Sequence, residues 1–185
     1  MANRDDNKPI FSSAMMHFLQ NRLMEIFGLS LFLMSVVLLI SLITAGKTDP
    51  SFSQISNEPV ANWLGPIGAN ISAAMFTTIG IAAFFLALVP FFWSLSYFRK
   101  EAIPALRFRI LLLPISLWFL SGGLFAIDGG KASDNGGGAG KVIIEFVMEY
   151  MQPIPTVFGL ETIHYVGMST LFLGLLTWLW ITAIP

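Results

Sequence analysis

The chain has no cysteine, so no disulfide framework, thiolate metal site or thiol redox motif is open to it. Charge is also scarce. Only 11% of its 185 residues are Asp, Glu, Lys or Arg, and the formal net charge of -1 leaves no acidic or basic tail concealed in the average. A soluble domain carries about a quarter charged residues. A disordered segment or a nucleic-acid-binding domain needs more charge still. Histidine occurs twice, as His17 and His164, and no nucleophile, base and orienting group assemble around either. What is abundant is apolar: 55% of the residues are hydrophobic, with a mean hydropathy of +0.74. These proportions describe a membrane protein.

A spanning helix needs about 20 predominantly apolar residues. The sequence predicts an all-α, polytopic membrane protein with four spans, over about 26–45, 68–98, 108–127 and 162–185, preceded by a tail over 1–23. The first run is too long for a signal peptide, and no Ala-x-Ala-like site follows it before Lys47. Pro90 and Pro114 fall inside the second and third spans and are expected to kink them. The uncharged stretch 67–98 makes about 48 Å of straight helix, against about 30 Å of hydrocarbon. Its beginning is expected to lie in the outer interface, to tilt strongly or to break near the glycines, with a helix starting near Gly68 and projecting beyond the membrane favoured. Trp63, Trp93, Tyr97, Trp178 and Trp180 fall near the expected span ends, where ring side chains favour the headgroup zone or simply pack.

Basic residues set the expected orientation. Arg4, Lys8 and Arg22 precede the first span, and Arg99, Lys100, Arg107 and Arg109 join the second to the third. The opposite loops hold only Lys47, Lys131 and Lys141. Both termini are therefore expected in the cytoplasm. The basic loop is explained by topology and anionic lipid and does not require DNA.

The first outer loop carries Asp49-Pro50-Ser51-Phe52-Ser53, a turn-forming and amide-capping sequence. Asn62 to Ala69 follows, with small residues at Gly65, Gly68, Ala69, Ala73, Gly80 and Ala83 that admit plain helix packing or association between copies. In the second outer loop, 128–140 is glycine-rich and expected to be mobile or turn-rich. Lys141, Glu145, Glu149 and Gln152 then line one stripe of a short amphipathic helix, about 141–152, in the outer interface, ended by Pro153 and Pro155. Gly136 to Lys141 is no phosphate-binding loop: Asn135 stands where the fingerprint has glycine, and Val142 where it has Ser or Thr. The two histidines lie at opposite ends of the bundle, which rules out a shared haem. Glu161 and His164 read as an interfacial hydrogen-bonded pair. A proton or metal role there needs partners the sequence does not supply. The scarcity of ionisable groups within spans argues against a proton-coupled transporter.

The ordered small motifs Asp49-Pro50-Ser51-Phe52-Ser53, Asn62-x-x-Gly65-x-x-Gly68-Ala69, Gly80-x-x-Ala83 and Gly136-Gly137-x-x-Gly140 resemble the N-terminal four-helix membrane domain of the FtsK/SpoIIIE family of bacterial DNA translocases. The resemblance covers most of the chain from about Leu29. It implies an inner-membrane anchor at the division septum, acting in cell division and chromosome segregation through contacts with lipid and other division proteins. It also implies a homo-oligomer, a hexamer in that family, whose RecA-like motor uses ATP and Mg to pump DNA. That motor and its Walker residues are expected to lie outside this chain, so no catalytic, cofactor or metal residue is placed here, and DNA is a partner only through the motor. Asp49, Pro50, Ser51, Asn62, Gly65, Gly68, Ala69, Gly136, Gly137 and Gly140 are the motif residues, with structural or partner-contact roles. The alternative is a small four-helix subunit of a solute transporter. A redox subunit is a weaker third.

Overall fold

Inside a bilayer only a helix or a closed barrel satisfies its own backbone, so long apolar runs fold as helices. The computed structural model describes residues 13–127, 129–130, 133–151 and 161–182. Among these, the chain forms α1 (Ser13–Ile43), α2 (Gly65–Ile79), a 3-10 turn (Gly80–Ala82), α3 (Ala83–Phe98), α4 (Leu106–Ile127), α5 (Ser133–Tyr150) and α6 (Thr162–Thr182). Four stretches are long and apolar enough to cross a membrane: Ala14–Ile43, Gly65–Phe98, Leu106–Ile127 and Thr162–Thr182. The basic residues Arg4, Lys8 and Lys131, together with Asp128, Gln152, Pro153, Pro155 and Pro185, lie outside the described residues.

The helices pair antiparallel. Lys100 Nζ lies 3.4 Å from the Glu25 carboxylate, and Ser35 Oγ donates to the Ala87 carbonyl at 2.7 Å, fixing α1 against α3. On the other side Ser116 Oγ donates to the Gly174 carbonyl at 3.1 Å, and a Cβ at Gly123 would lie 2.6 Å from Leu171, so α4 and α6 touch almost backbone to backbone. Indole donors join the two pairs: Trp178 Nε1 bonds the Phe85 carbonyl and Trp93 Nε1 the Ile181 carbonyl, both at 2.9 Å. Ala82, Val89, Leu117, Leu120, Trp178 and Ile181 form the core between α3, α4 and α6. Of the two roles left open for the ring residues near the span ends, Trp93 and Trp178 show the packing one. Glu25, Lys100 and the start of α4 mark a basic face; the end of α1 and the 44–64 loop mark the opposite, loop face.

The second apolar stretch is not one projecting helix. By the Ser35–Ala87 register, Gly80 sits level with about residue 42, while Ser41 Oγ reaches the Gly68 carbonyl at 2.7 Å. Both ends of α2 are therefore level with the last turn of α1. The 11 residues between them, about 17 Å of helix, run across the bundle end. What remains to span, the 3-10 turn and α3, measures about 30 Å, the thickness of the hydrocarbon. The break answers the length mismatch.

Gly80 (φ +59°) makes the break, and Gly137 (φ +61°), a kink within α5, seats against it. A Cβ at Gly137 would lie 2.6 Å from the Gly80 nitrogen, and one at Gly80 would strike the Asn135 carbonyl oxygen. Ser121 Oγ bonds the Gly136 carbonyl, and a Cβ at Gly140 would collide with the Ser121 carbonyl. The glycine-rich stretch expected as a mobile turn is thus helical from Ser133 wherever it is described, because close approach to α4 and α2 outweighs the poor helix propensity of glycine. The rest of α5 is amphipathic, ending at Tyr150. Ile144 is buried with Phe125, Ala126 and Val166. Lys141, Glu145 and Glu149 form one exposed row, with Lys141 and Glu145 paired at 3.7 Å, and Val142, Phe146 and Tyr150 form the next. Finally, α1 begins at Ser13, well before the expected residue 26, because His17, Gln20, Asn21, Arg22 and Glu25 interrupt the hydropathy without interrupting the helix.

Substituting Gly137→Ala forces a side chain into a left-handed backbone and against Gly80. It is expected to cost about 1–3 kcal/mol, read as a lower thermal midpoint in detergent. Gly138→Ala, whose Cβ meets only the Thr77 carbonyl oxygen at 3.4 Å, should not lower the midpoint.

Candidate functional site

The motif residues converge at the loop face in two groups joined by α2. In the first, the turn over 46–54 is organised by one buried carboxylate. Asp49 Oδ2 accepts the Gly46 amide at 2.9 Å and Oδ1 the Ala61 amide at 2.6 Å, so the side chain ties both ends of the 46–61 loop together. Ser51 and Gln54 exchange backbone hydrogen bonds at 2.9 and 3.1 Å, closing the tip that Pro50 initiates. Asn62, also buried, donates Nδ2 to the Ser41 carbonyl at 2.8 Å and accepts the Leu64 amide at 3.1 Å. Gly65 opens α2, and Gly68 and Ala69 are its buried face against α1. Thr44 Oγ1 accepts the Trp63 amide at 3.1 Å, and Asn70 Oδ1 accepts the Phe52 amide at 2.9 Å, fastening the loop to α1 and α2.

The second group is Gly136, Gly137 and Gly140, which seat α5 on Ser121 and on the break at Gly80. Loop, α2 and α5 together make a platform across the loop face. Its exposed large side chains include Phe52, Ile55, Trp63, Ile67, Val142, Phe146 and Tyr150.

At the basic face the four cationic residues separate. Arg99 and Arg107 are exposed, and Lys100 pairs with Glu25. Arg109, grouped with them as a topology determinant in the sequence, is 6% exposed and has a different task. Its Nε donates to the Pro104 carbonyl at 2.8 Å, and its Nη1 to the Ile181 carbonyl at 3.1 Å and to the Trp180 carbonyl. The guanidinium stacks 4.7 Å over the Trp180 ring. A helix leaves its last carbonyls unpaired and carries partial negative charge there, so a fixed cation on α4 closes the end of α6.

His164 does not form the expected side-chain pair with Glu161. Its backbone amide donates to the Glu161 carbonyl at 3.0 Å, and its Nδ1 is buried without a partner among the described residues. No group of three metal-ligating side chains forms among the described residues. Sequence reasoning missed the buried hydroxyls of Ser35, Ser41, Ser116 and Ser121, each bonded to a carbonyl of another helix. Their signal was available, since a serine inside an apolar span is the residue type that binds helices together in lipid. The polar side chains bonded here hold backbone in place. The arrangement positions segments of chain.

A family model described as the 4TM region of DNA translocase FtsK/SpoIIIE matches residues 20–184. A DNA translocase FtsK from Azospirillum brasilense is 29% identical over 111 residues, 59% of this chain and 18% of that protein. Another, from Caulobacter vibrioides, is 34% identical over 94 residues, 49% of this chain and 12% of that protein. The chain thus matches less than a fifth of the length of either relative. No solved structure matches.

Replacing Arg109 by Leu removes its charged donors from the Trp180 and Ile181 carbonyls, leaving Ile181 with the Trp93 indole, and should lower unfolding stability by about 1.5–3 kcal/mol per charged hydrogen bond lost. Arg107→Leu, exposed two residues away, should leave the thermal midpoint where it is. Equal destabilisation by the two variants contradicts the closing role of Arg109.

Proposed function

This chain belongs to the family of the 4TM region of FtsK/SpoIIIE DNA translocases, and from that premise we propose that it is the membrane anchor and septal-targeting domain of such a translocase. The observation that carries the proposal is the extent of the match, 20–184, which takes in the described part of α2 to α6 and most of α1. It favours this reading over a solute-transporter subunit. Catalysis belongs to a motor elsewhere in the protein, where ATP and Mg would bind and DNA would be moved during chromosome segregation. The domain's own work is mechanical: it holds the motor to the inner membrane and presents a fixed surface to other division proteins. The loop-face platform, rigidified through Asp49, Asn62 and the Gly80–Gly137 crossing, is that surface in the outer aqueous space. The basic face, with Arg99, Lys100 and Arg107, lies in the cytoplasm, where both chain ends emerge.

Copies associate, in this proposal, through α1. Met16, Leu19, Leu23, Ile26, Leu33 and Val37 are exposed at alternating spacings of three and four, with Ser30 completing the row. Of the seven heptad registers along 16–40, this is the one that meets no charged, amide or imidazole side chain. It lies about 200° around the helix from Gly28, Ser35 and Leu42, which face the bundle. Alternating three-and-four spacing suits a left-handed helix pair, and copies inserted with the same orientation meet in parallel.

An antibody against this domain should detect a native protein several times larger than 20.4 kDa. Deleting the domain from that protein should disperse it from the septum; undisturbed septal localisation overturns the targeting role. The absence of native cysteine gives a direct test of association. Leu23→Cys should form a disulfide-linked dimer on mild oxidation in membranes, whereas Leu42→Cys, on the bundle side, should not. Cross-linking that fails at Leu23 rules out the α1 surface.

A further inference from the structure

The backbone of α1 does not come close to that of α4 or α6 among the described residues, although α3, its partner, is bonded to α6. The gap is a groove of about 280 Å³ lined by apolar residues, among them Met34 and Leu38 of α1, Val89 and Trp93 of α3 and Leu113 of α4, with Met75 of α2 closing it toward the loop face. Along α1 the lining runs from Leu38 to Leu31. Measured from residue 42, at the loop-face edge, that is a depth of about 6 to 17 Å. With a hydrocarbon layer about 30 Å thick, the groove occupies the deeper part of the loop-side leaflet.

Three occupants compete for such a space. Water needs polar partners that these side chains do not offer. A helix about 10 Å across displaces on the order of 800 Å³ over the same length, so a whole helix does not fit inside the groove. A hydrocarbon chain is thin enough: the volume is about twice the ~150 Å³ apolar cavity that accepts a benzene ring, and the lining along α1, from Leu31 to Leu38, covers about 10 Å of helix. We propose that this groove binds one acyl chain of a phospholipid from the loop-side leaflet, wedged between the α1–α3 pair and α4. The chain fills the space between α1 and α4, and so sets the spacing of the two helix pairs. The groove is the same whichever protein the domain serves.

The test uses the protein reconstituted with dioleoyl-phosphatidylglycerol, returned to mild detergent and examined by native mass spectrometry. One retained phospholipid per chain is expected, with retention falling at least tenfold in Leu113→Phe and in Leu38→Phe, which fill the groove. Unchanged retention in well-folded variants overturns the proposal. Should both variants misfold, Trp93 reports on the unaltered groove. At one acyl-brominated phosphatidylglycerol per protein in detergent, the emission difference between the wild-type chain and Trp93→Phe should be quenched by more than half. An unquenched difference overturns the proposal.

Discussion

An amide or carbonyl in hydrocarbon has no water to turn to, and each one left unpaired costs several kcal/mol. That constraint makes an interrupted helix expensive unless protein covers the interruption. Here the chain needs the interruption, because 34 residues of apolar helix are too long for the layer they cross. It breaks at Gly80, at the edge of the layer, and covers the break with the kink of α5 at Gly137. Glycine is required on both sides of that crossing, once for a left-handed backbone and again for the separation of the two chains. The rest of the loop face follows from it. With α2 laid across the bundle and α5 seated on α4, the 44–64 loop has a floor to fasten to.

Between helices the polar contacts share one form. Ser35, Ser41, Ser116, Ser121, Trp93, Trp178 and Arg109 all donate to main-chain carbonyls of another helix. Lipid provides no hydrophobic drive for helices to associate, so packing and such bonds do the holding. A carbonyl already engaged in its own helix keeps a second lone pair for the purpose. Bonds of this kind fix register and do not create reactive groups. Arg109 does the same at the basic face, where it binds the last turn of α6 to the first turn of α4.

Hydropathy alone made four spans legible, because a bilayer imposes both the length and the polarity of what crosses it. The turn chemistry of Asp49-Pro50-Ser51 was equally plain, since proline and a short acidic side chain act locally. The break at Gly80 was not. Several glycines and alanines share that apolar run, and the one that breaks is selected by Gly137, 57 residues away, through contacts that local sequence does not encode. The glycine-rich stretch misled for a related reason: low helix propensity is a local cost, and tertiary approach to Ser121 overrides it. Arg107 and Arg109 look alike in sequence but stand on opposite faces of one helix. Charge counting cannot separate them; burial does. Hydropathy also measures membrane thickness and not helix length, and so the part of α1 that precedes the apolar run was not legible from it.

The crossing of Gly80 and Gly137 has a temporal side. Ribosomes make the chain from the N-terminus, and Gly137 follows Gly80 by 57 residues, so at about 5–20 residues per second the broken helix exists for about 3 to 11 s before its cover has been synthesised. During that interval α1, α2 and α3 stand in the membrane as an incomplete hairpin whose weak point is exposed at its rim. The nascent domain therefore cannot mature span by span. Its first half waits for its second, and the break at Gly80 is covered only once α5 has been made.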